Sequence, residues 1–185
     1  KPEYFRLLTI IMDLALKTDG KVLIYIGTNA AIMITYKYLM MRYPELSGNI
    51  GIFTTLVSKE EKELNKDKKI ILSTTKSAGA SMDIDNLKMT VVINEPFKSH
   101  VLARQTLGRT RADNTFYIDC VDLGFNQLRR YYNYKRPVFD EYALSCSEIF
   151  IRQPDLEYRY NDIVSKRNQE KTMPLITAQL VTFEE

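Results

Sequence analysis

The segment "ARQTLGRTRADNT", residues 103–115, combines residue types that can bind a phosphate group. Arg109 and Arg111 each carry a guanidinium group, whose rigid fork of N–H donors matches phosphate oxygens. Gly108 allows a tight turn or a close backbone approach directly before Arg109, and Gln105 adds an amide nearby. The alternative is that both arginines end a helix in solvent, an arrangement that contributes little free energy. The glycine favours phosphate recognition, but the spacing alone does not establish it.

A second set of candidate residues follows three apolar runs that we predict to be strands. Taken singly, the residues that follow the first two runs are better explained as helix N-caps or β-branched residues of a sheet, and those that follow the third run are equally well explained as turn residues. Together, at one edge of a parallel sheet, they would form a polar shelf that contacts a sugar-phosphate backbone without regard to base identity. The predicted polar shelf consists of Thr28, Asn29, Thr54, Thr55, Thr74, Thr75 and Lys76.

Strand and helix patterns alternate along the region that contains both sets of residues. The apolar runs "KVLIYIG", "NIGIFTTLV", "KKIILSTT", "MTVVIN" and "TFYIDCV" predict strands. Helical patterns separate several of them, including "SKEEKELNK" with Ser58 as its N-cap and "SHVLARQTLGR". This alternation predicts an α/β fold, an open parallel sheet flanked by helices.

The pattern changes after Asp122. "LGFNQLRRYYNYKRPVF" predicts a helix up to Pro137, and "PLITAQLVTF" alternates like a strand. We favour packing of the tyrosine rings on the sheet, with Arg and Lys outside, over stacking of nucleic-acid bases on them. The predicted domains are residues 1–136, the α/β domain, and residues 137–185, a C-terminal extension.

Composition limits the class of protein. The chain has 185 residues, of which 45% are hydrophobic and 26% charged, and its net charge of +3 permits a polyanionic partner. Cys120 and Cys146 are too few for a disulfide framework or a zinc site, so we expect a reducing, cytoplasmic location. The opening apolar segment contains charges and predicts an amphipathic helix rather than a signal peptide. Because the chain begins at Lys1 without Met, we expect it to be part of a longer polypeptide.

The order of these motifs resembles the second RecA-like domain of superfamily 2 helicases, over about residues 20–122. "KVLIYIGTN" is similar to motif IV, "STTKSAGASMDI" to motif V and "QTLGRTR" to motif VI. The short domain and the "QTLGR" sequence are most similar to phage and large-DNA-virus helicases. That resemblance implies DNA replication as the process and the host cytoplasm as the location.

The resemblance also implies roles for individual residues. Gln105 and Gly108 would lie at the nucleotide, Asp83 would face the ribose or motif VI, and Arg109 would reach the γ-phosphate. The polar shelf would contact the nucleic-acid backbone. Two positions depart from the family pattern. Ala112 occupies the place of the second motif VI arginine, so Arg111 is the other catalytic candidate, and motif V has Ser81 where glycine is usual.

No phosphate loop (GxxxxGK followed by Ser or Thr) occurs in the sequence, and no Asp-Glu metal box follows a predicted strand. We therefore expect no ATP hydrolysis or ATP binding by this chain alone. The implied partners are an N-terminal RecA-like domain of the same polypeptide, which would hold ATP and Mg²⁺, and nucleic acid, with DNA favoured over RNA. The C-terminal extension could bind a protein partner.

Two other classes of function stay open at this point. One is a nucleic-acid or protein binding module that retains a degenerate helicase fold. The other is a small-molecule enzyme, which is less favoured because the sequence has no glycine-rich dinucleotide turn and His100 is its only histidine.

Overall fold

The computed structural model of the chain describes residues 2–77, 82–94, 100–109 and 115–181, with side chains described up to residue 170. The chain forms two compact units. The larger unit runs from Thr18 to Ser147, and the smaller contains the residues up to Lys17 together with those from Glu148 onward. The division into residues 1–136 and 137–185 that the sequence predicts stays a prediction.

The elements alternate between strand and helix through the larger unit. In chain order they are α1 (Pro2–Lys17), β1 (Lys21–Ile26), α2 (Asn29–Arg42), a short 3-10 helix (Pro44–Leu46), β2 (Ile50–Phe53), α3 (Lys59–Asn65), β3 (Ile70–Ser73), β4 (Leu87–Ile93), α4 (His100–Leu107), β5 (Phe116–Cys120), α5 (Asn126–Tyr142) and α6 (Gln153–Val181). Among the described residues, five strands form one sheet in the order β2-β3-β1-β4-β5, and all adjacent pairs are parallel. The predicted open parallel sheet flanked by helices is confirmed.

Two hydroxyl side chains begin the helices that follow β1 and β2. Thr28 Oγ1 accepts a hydrogen bond from Ala31 N at 3.1 Å, and Ser58 Oγ accepts one from Glu61 N at 3.1 Å. Each hydroxyl thereby satisfies a backbone N–H that has no partner within its helix. The predicted N-cap at Ser58 is confirmed.

One row of paired residues crosses the whole sheet near its carboxyl edge. The strand register aligns Phe53, Ser73, Tyr25, Val92 and Asp119, which therefore project from the same face. Helices α4 and α5 cover that face, because buried residues of both helices belong to the same hydrophobic cluster as this row. The row thus contains three polar side chains that need partners under the helices.

A buried ion pair connects this row to α5. Lys135 Nζ lies 2.6 Å from Asp119 Oδ2 and 2.8 Å from Asp119 Oδ1, and the two side chains are only 2% and 8% exposed. Burial raises the pKa of the Asp119 carboxyl group, and the charge of Lys135 and its hydrogen bond oppose that rise. Removal of either partner would leave an uncompensated buried charge, so the pair fixes the position of α5 on the sheet.

Helix α5 differs from its prediction in two ways. It continues beyond Pro137 to Tyr142, because Val138 and Phe139 are buried and hold the turn that follows the proline in place. The interpretation that tyrosines pack inside and basic residues lie outside is wrong at two positions. Tyr134 is 57% exposed, whereas Lys135 is buried against Asp119.

The smaller unit contains α1 and α6, which contact each other. Arg6 Nη2 lies 3.0 Å from Glu157 Oε1, and Gln153 Nε2 donates to Glu3 Oε1 at 3.1 Å. Both contacts are exposed, so each contributes little free energy. The strand predicted from "PLITAQLVTF" is wrong for the residues before 182, because α6 continues through them to Val181. Leu, Ala and Gln in that stretch are good helix formers.

Gly51 in β2 is required by the close approach of α3. A Cβ atom at this position would lie 2.8 Å from Asn65 Cβ, and Asn65 Nδ2 donates to Ile52 O at 2.8 Å. We expect Gly51→Ala to displace Asn65 and to lower the free energy of unfolding by about 1–3 kcal/mol. Urea unfolding followed by circular dichroism measures this difference.

Gly48→Ala is the matched control, since a Cβ atom at Gly48 would have no neighbour within 4 Å. It should leave the unfolding free energy unchanged or raise it by less than about 1 kcal/mol. Equal losses in both variants would contradict the proposed contact between β2 and α3.

Candidate nucleotide and nucleic-acid site

The predicted polar shelf lies where three parallel strands end. Thr28 and Asn29 follow β1, Thr54 and Thr55 follow β2, and residues 74–76 follow β3. Because the strands are parallel, these residues share the carboxyl edge of the sheet. Asn29 Nδ2 donates to Thr55 Oγ1 at 3.0 Å, so side chains from the first two loops meet directly.

Two hydroxyls of the shelf are buried and shape their own loops. Thr54 is 0% exposed and its Oγ1 accepts from Leu56 N at 3.1 Å. Thr74 is 8% exposed; its Oγ1 donates to Ser77 Oγ at 2.9 Å and accepts from Ser77 N at 3.0 Å. These two side chains stabilise the turns in which they lie, and a direct contact with a ligand would have to share or replace those hydrogen bonds.

The other five shelf residues are accessible at the sheet edge. The side chains of Thr28, Thr55 and Lys76 are exposed, and those of Asn29 and Thr75 are half-buried. Thr28 also caps α2, which places its hydroxyl at the positive end of that helix. The accessible part of the shelf therefore combines hydroxyl, amide and ammonium groups, all of which can bind phosphate oxygens.

Ser73 is a polar residue of the site that the sequence analysis did not identify. Its Oγ donates to Phe53 O at 2.6 Å and lies 3.2 Å from Thr74 O, and its side chain is fully buried. The hydroxyl thus ties the ends of β2 and β3 together beneath the polar shelf. The only sequence signal was a small polar residue at the end of an apolar run, where a turn residue is equally common.

Arg109 lies immediately beyond α4 and points to the sheet. Its Nη1 donates a hydrogen bond to Met82 O, in the segment between β3 and β4. Burial raises the pKa of Tyr25 in β1 to about 12, and the charge of Arg109 and a hydrogen bond from its side chain oppose this rise. The guanidinium group is therefore hydrogen-bonded to the segment after β3, and its charge acts on a side chain of β1.

Gly108 brings Arg109 to this position through a tight helix end. Gly108 N donates to Arg104 O at 2.8 Å, and Arg109 N donates to Thr106 O at 3.3 Å. A Cβ atom at Gly108 would lie 3.0 Å from Arg104 O, so a side chain would crowd the last turn of α4. The predicted close approach at this glycine is thus made to the helix's own backbone.

The remaining predicted residues lie around Arg109 or outside the described residues. Gln105 is exposed on α4, and Asp83 is exposed and directly follows Met82, whose carbonyl accepts from Arg109. The structure therefore places Arg109 next to the segment that contains Asp83. Arg111 lies outside the described residues, as do Gly79 and Ser81 of the segment that resembles motif V.

Two further properties concern metal ions and membranes. In the part of the chain that the structure describes, no group of three or more His, Cys, Asp or Glu side chains could hold a metal ion. Among the described helices, none combines the length and hydropathy that crossing a bilayer requires.

Comparison with known proteins identifies the fold. No protein-family profile matches the chain, and no curated protein matches its sequence. Among solved structures, S. cerevisiae Dbp5 bound to RNA and ADP BeF3 matches with a TM-score of 0.58 and 14% identity, over 88% of this chain and 41% of that chain. The UvsW helicase from bacteriophage T4 matches with a TM-score of 0.51 and 14% identity, over 68% of this chain and 46% of that chain.

The Pyrococcus furiosus Hef helicase domain matches with a TM-score of 0.51 and 17% identity, over 72% of this chain and 28% of that chain. The chain spans less than half the length of each of these three solved chains. These similarities show that the larger unit has the RecA-like α/β fold of helicase domains.

The buried hydroxyl of Thr54 gives a prediction about the shelf. Thr54→Val keeps the side-chain shape but removes the acceptor of Leu56 N, so we expect a loss of about 1–3 kcal/mol in unfolding free energy. Thr55→Val is the control, since Thr55 is exposed and its substitution should change stability by less than about 0.5 kcal/mol. Chemical denaturation compares the variants, and equal stability of both would show that the Thr54 hydrogen bond does not hold the turn.

Proposed function

We propose that the chain is the C-terminal RecA-like motor domain of an ATP-dependent nucleic-acid helicase or translocase. The fold supports this proposal, since the larger unit is similar to helicase domains of known structure. The observation that carries it is the position of Arg109, half-buried at the end of α4 and hydrogen-bonded to the segment that contains Asp83. A guanidinium group held in this way can meet a phosphate that a second domain presents to it.

In this proposal Arg109 is the arginine finger that stabilises charge on the transferred phosphoryl group. Arg111 is the second candidate for that role, because it lies two positions further along the chain. Gln105, Gly108 and Asp83 form the surface that faces the nucleotide. A preceding RecA-like domain of the same polypeptide supplies the phosphate loop and the groups that hold Mg²⁺.

The polar shelf is the proposed nucleic-acid contact. Its hydroxyl and amide groups bind phosphate oxygens without reading bases, and Lys76 adds a cation. Thr28, Asn29, Thr55, Thr75 and Lys76 make these contacts directly. Thr54 and Thr74 hold the loops in shape and contribute through the backbone N–H groups of their turns, because their own hydroxyls are buried as well as hydrogen-bonded.

ATP turnover by the full-length protein tests the proposed catalytic role. We expect nucleic-acid-stimulated ATPase activity, and a fall in kcat of about a thousandfold or more in Arg109→Ala, because charge on the transferred phosphate loses its partner. Arg111→Ala should be measured in parallel to assign the finger. Arg104→Ala is the control, since this arginine lies on the same helix, is half exposed and pairs with Glu141 at 3.4 Å.

Unchanged turnover in both Arg109→Ala and Arg111→Ala, with ATP still bound, would refute the arginine-finger role. A full-length protein that binds nucleic acid but lacks ATPase activity would support the alternative function, a nucleic-acid binding module with a degenerate helicase fold.

The polar shelf has its own test in nucleic-acid binding. We expect Lys76→Ala to weaken binding of single-stranded oligonucleotides and to reduce the slope of log affinity against log salt by about 0.7, the value for one lost phosphate contact. Thr55→Val should weaken binding without changing that slope. Fluorescence anisotropy with matched DNA and RNA oligonucleotides measures both effects and determines which nucleic acid is preferred.

Lys37→Ala is the charge-matched control, because Lys37 is exposed within α2, away from the strand ends. If Lys37→Ala and Lys76→Ala weaken binding equally, general electrostatic attraction explains the effect and the shelf is not the contact surface.

A further inference from the structure

We infer that α4 and α5 carry a second nucleic-acid contact, where a base of a single strand stacks on Tyr134 and a neighbouring phosphate binds Arg130. This aromatic-basic face consists of His100, Arg130 and Tyr134. The choice of nucleic acid as its partner rests on the proposed function. The face differs from the polar shelf in a measurable way, since stacking requires a base whereas the shelf binds only the backbone.

Tyr134 is exposed although its neighbour in the chain is buried. Its side chain is 57% exposed, whereas Lys135 is 2% exposed and paired with Asp119. That ion pair fixes the turn of α5 that contains Tyr134, and the His100 ring lies 6.4 Å from the Tyr134 ring, tilted by 60°. The tyrosine is thus an exposed ring on a fixed backbone, which allows a base to stack on it at a low cost in conformational entropy.

Helices α4 and α5 run in the same direction, which places the aromatic-basic face near the carboxyl edge of the sheet. His100, the first residue of α4, contacts Tyr134. One turn later, Arg104 contacts Glu141 and Tyr142. Both helices follow strands that end at the edge where the polar shelf lies, and these strands, β4 and β5, come next to β1 in the sheet order. A single strand bound at the shelf can therefore continue onto this face.

The charges on this side of the two helices suit a polyanion. Helix α4 contains no acidic residue, and α5 contains none before Asp140. Both acids at the end of α5 are paired, Asp140 with Arg136 at 2.9 Å and Glu141 with Arg104 at 3.4 Å. Arg104 is therefore not part of the aromatic-basic face. Arg130 is exposed and has no acidic partner among the residues that the structure describes, so its charge can bind a phosphate.

Arg130 and Tyr134 are spaced for contact with one nucleotide. They lie four positions apart on one side of α5, which separates their Cβ atoms by about 5–6 Å. A guanidinium group binds phosphate oxygens with two parallel N–H donors, and a tyrosine ring can stack on any base. The face therefore binds a single strand without selecting its sequence.

A protein partner fits this side of the helices less well. Val101, which is 59% exposed, is the only exposed aliphatic side chain in α4 and in residues 126–134. The centre of a protein interface is usually apolar and depleted in charge, whereas this face places a cation beside its aromatic ring.

The affinities of the full-length protein for two oligonucleotides of equal length test the stacking contact. One is oligothymidylate, and the other has the same sugar-phosphate backbone without bases. We expect Tyr134→Ala to weaken binding of the thymidylate about fivefold or more, the value for one stacked base, and to leave binding of the abasic strand unchanged. Tyr134→Phe keeps the ring and should bind both strands as the wild-type protein does. Fluorescence anisotropy measures these affinities, and an equal effect of Tyr134→Ala on both strands, or none on either, would overturn the inference.

Tyr158→Ala is the matched control, because Tyr158 is 76% exposed on a different helix, α6. It should bind both strands with the affinities of the wild-type protein. Thermal unfolding followed by circular dichroism shows that each variant is folded, as expected for substitutions of exposed residues. A loss in Tyr158→Ala as large and as dependent on bases as that in Tyr134→Ala would overturn the assignment of the stacked base to α5.

The phosphate contact of Arg130 has a different signature. Arg130→Ala should weaken binding of both strands to the same extent, and it should lower the slope of log affinity against log salt by about 0.7. Arg159→Ala is the control, since Arg159 is exposed on α6. A slope in Arg130→Ala equal to that of the wild-type protein or of Arg159→Ala would overturn the contact between Arg130 and a phosphate.

These measurements separate failure of this inference from failure of the proposed function. If Lys76→Ala weakens binding and Arg109→Ala lowers turnover, but Tyr134→Ala binds both strands like the wild-type protein, the function stands and the inference fails. If the full-length protein has no ATPase activity but Tyr134→Ala weakens binding of the thymidylate alone, the motor function fails and the aromatic-basic face stands. If the wild-type protein binds neither strand, both fail.

Discussion

Parallel pairing of the five strands is the constraint on which the site depends. Because all described strands run in the same direction, every strand ends at the same edge, and the loops that carry Thr28, Thr55 and Lys76 have to lie there. Two of the neighbouring pairs join strands that are not consecutive along the chain, since β1 lies between β3 and β4. Residues separated by many positions are thereby placed in one surface, as the Asn29 to Thr55 hydrogen bond shows.

The same pairing places three polar side chains in one row of the sheet, in an apolar environment beneath that edge. They belong to Ser73, Tyr25 and Asp119. Buried polar groups require partners, and each of the three has one from a different source. Ser73 donates to a neighbouring strand, Asp119 pairs with Lys135 of α5, and the positive charge of Arg109 acts on Tyr25. The partner of Tyr25 is the one that links the core to the proposed chemistry.

The sequence predicted the fold well because continuous apolar runs and helical periodicity are strong local signals. All five strands and the N-cap at Ser58 follow from them. Lys135 could not be predicted as a buried residue, since its partner Asp119 lies on a strand and only the register brings the two together. Helix α5 passes Pro137 for a related reason, because tertiary packing of the next turn outweighs the local effect of proline.

The site was predicted only in part, for reasons that concern burial. The sequence identifies hydroxyl residues at strand ends but does not show which of them are buried. Thr54 and Thr74 are buried and stabilise their turns, whereas Thr28 and Thr55 are exposed. Tyr25 gave one weak signal, a phenol within the apolar run "KVLIYIG", where a buried hydroxyl needs a partner. The effect of Arg109 on its pKa depends on the positions of β1 and α4 together.

We propose that Arg109 reaches the terminal phosphate of a nucleotide held by another domain. The most direct measurement compares the affinities of the full-length protein and its Arg109→Ala variant for ADP and for ADP with beryllium fluoride, which mimics that phosphate. If Arg109 contacts this phosphate, we expect nearly unchanged affinity of the variant for ADP and a loss of about tenfold or more for the fluoride complex, the effect of one lost hydrogen bond to a charged group. Equal affinities of the variant and the wild-type protein for both ligands would contradict it.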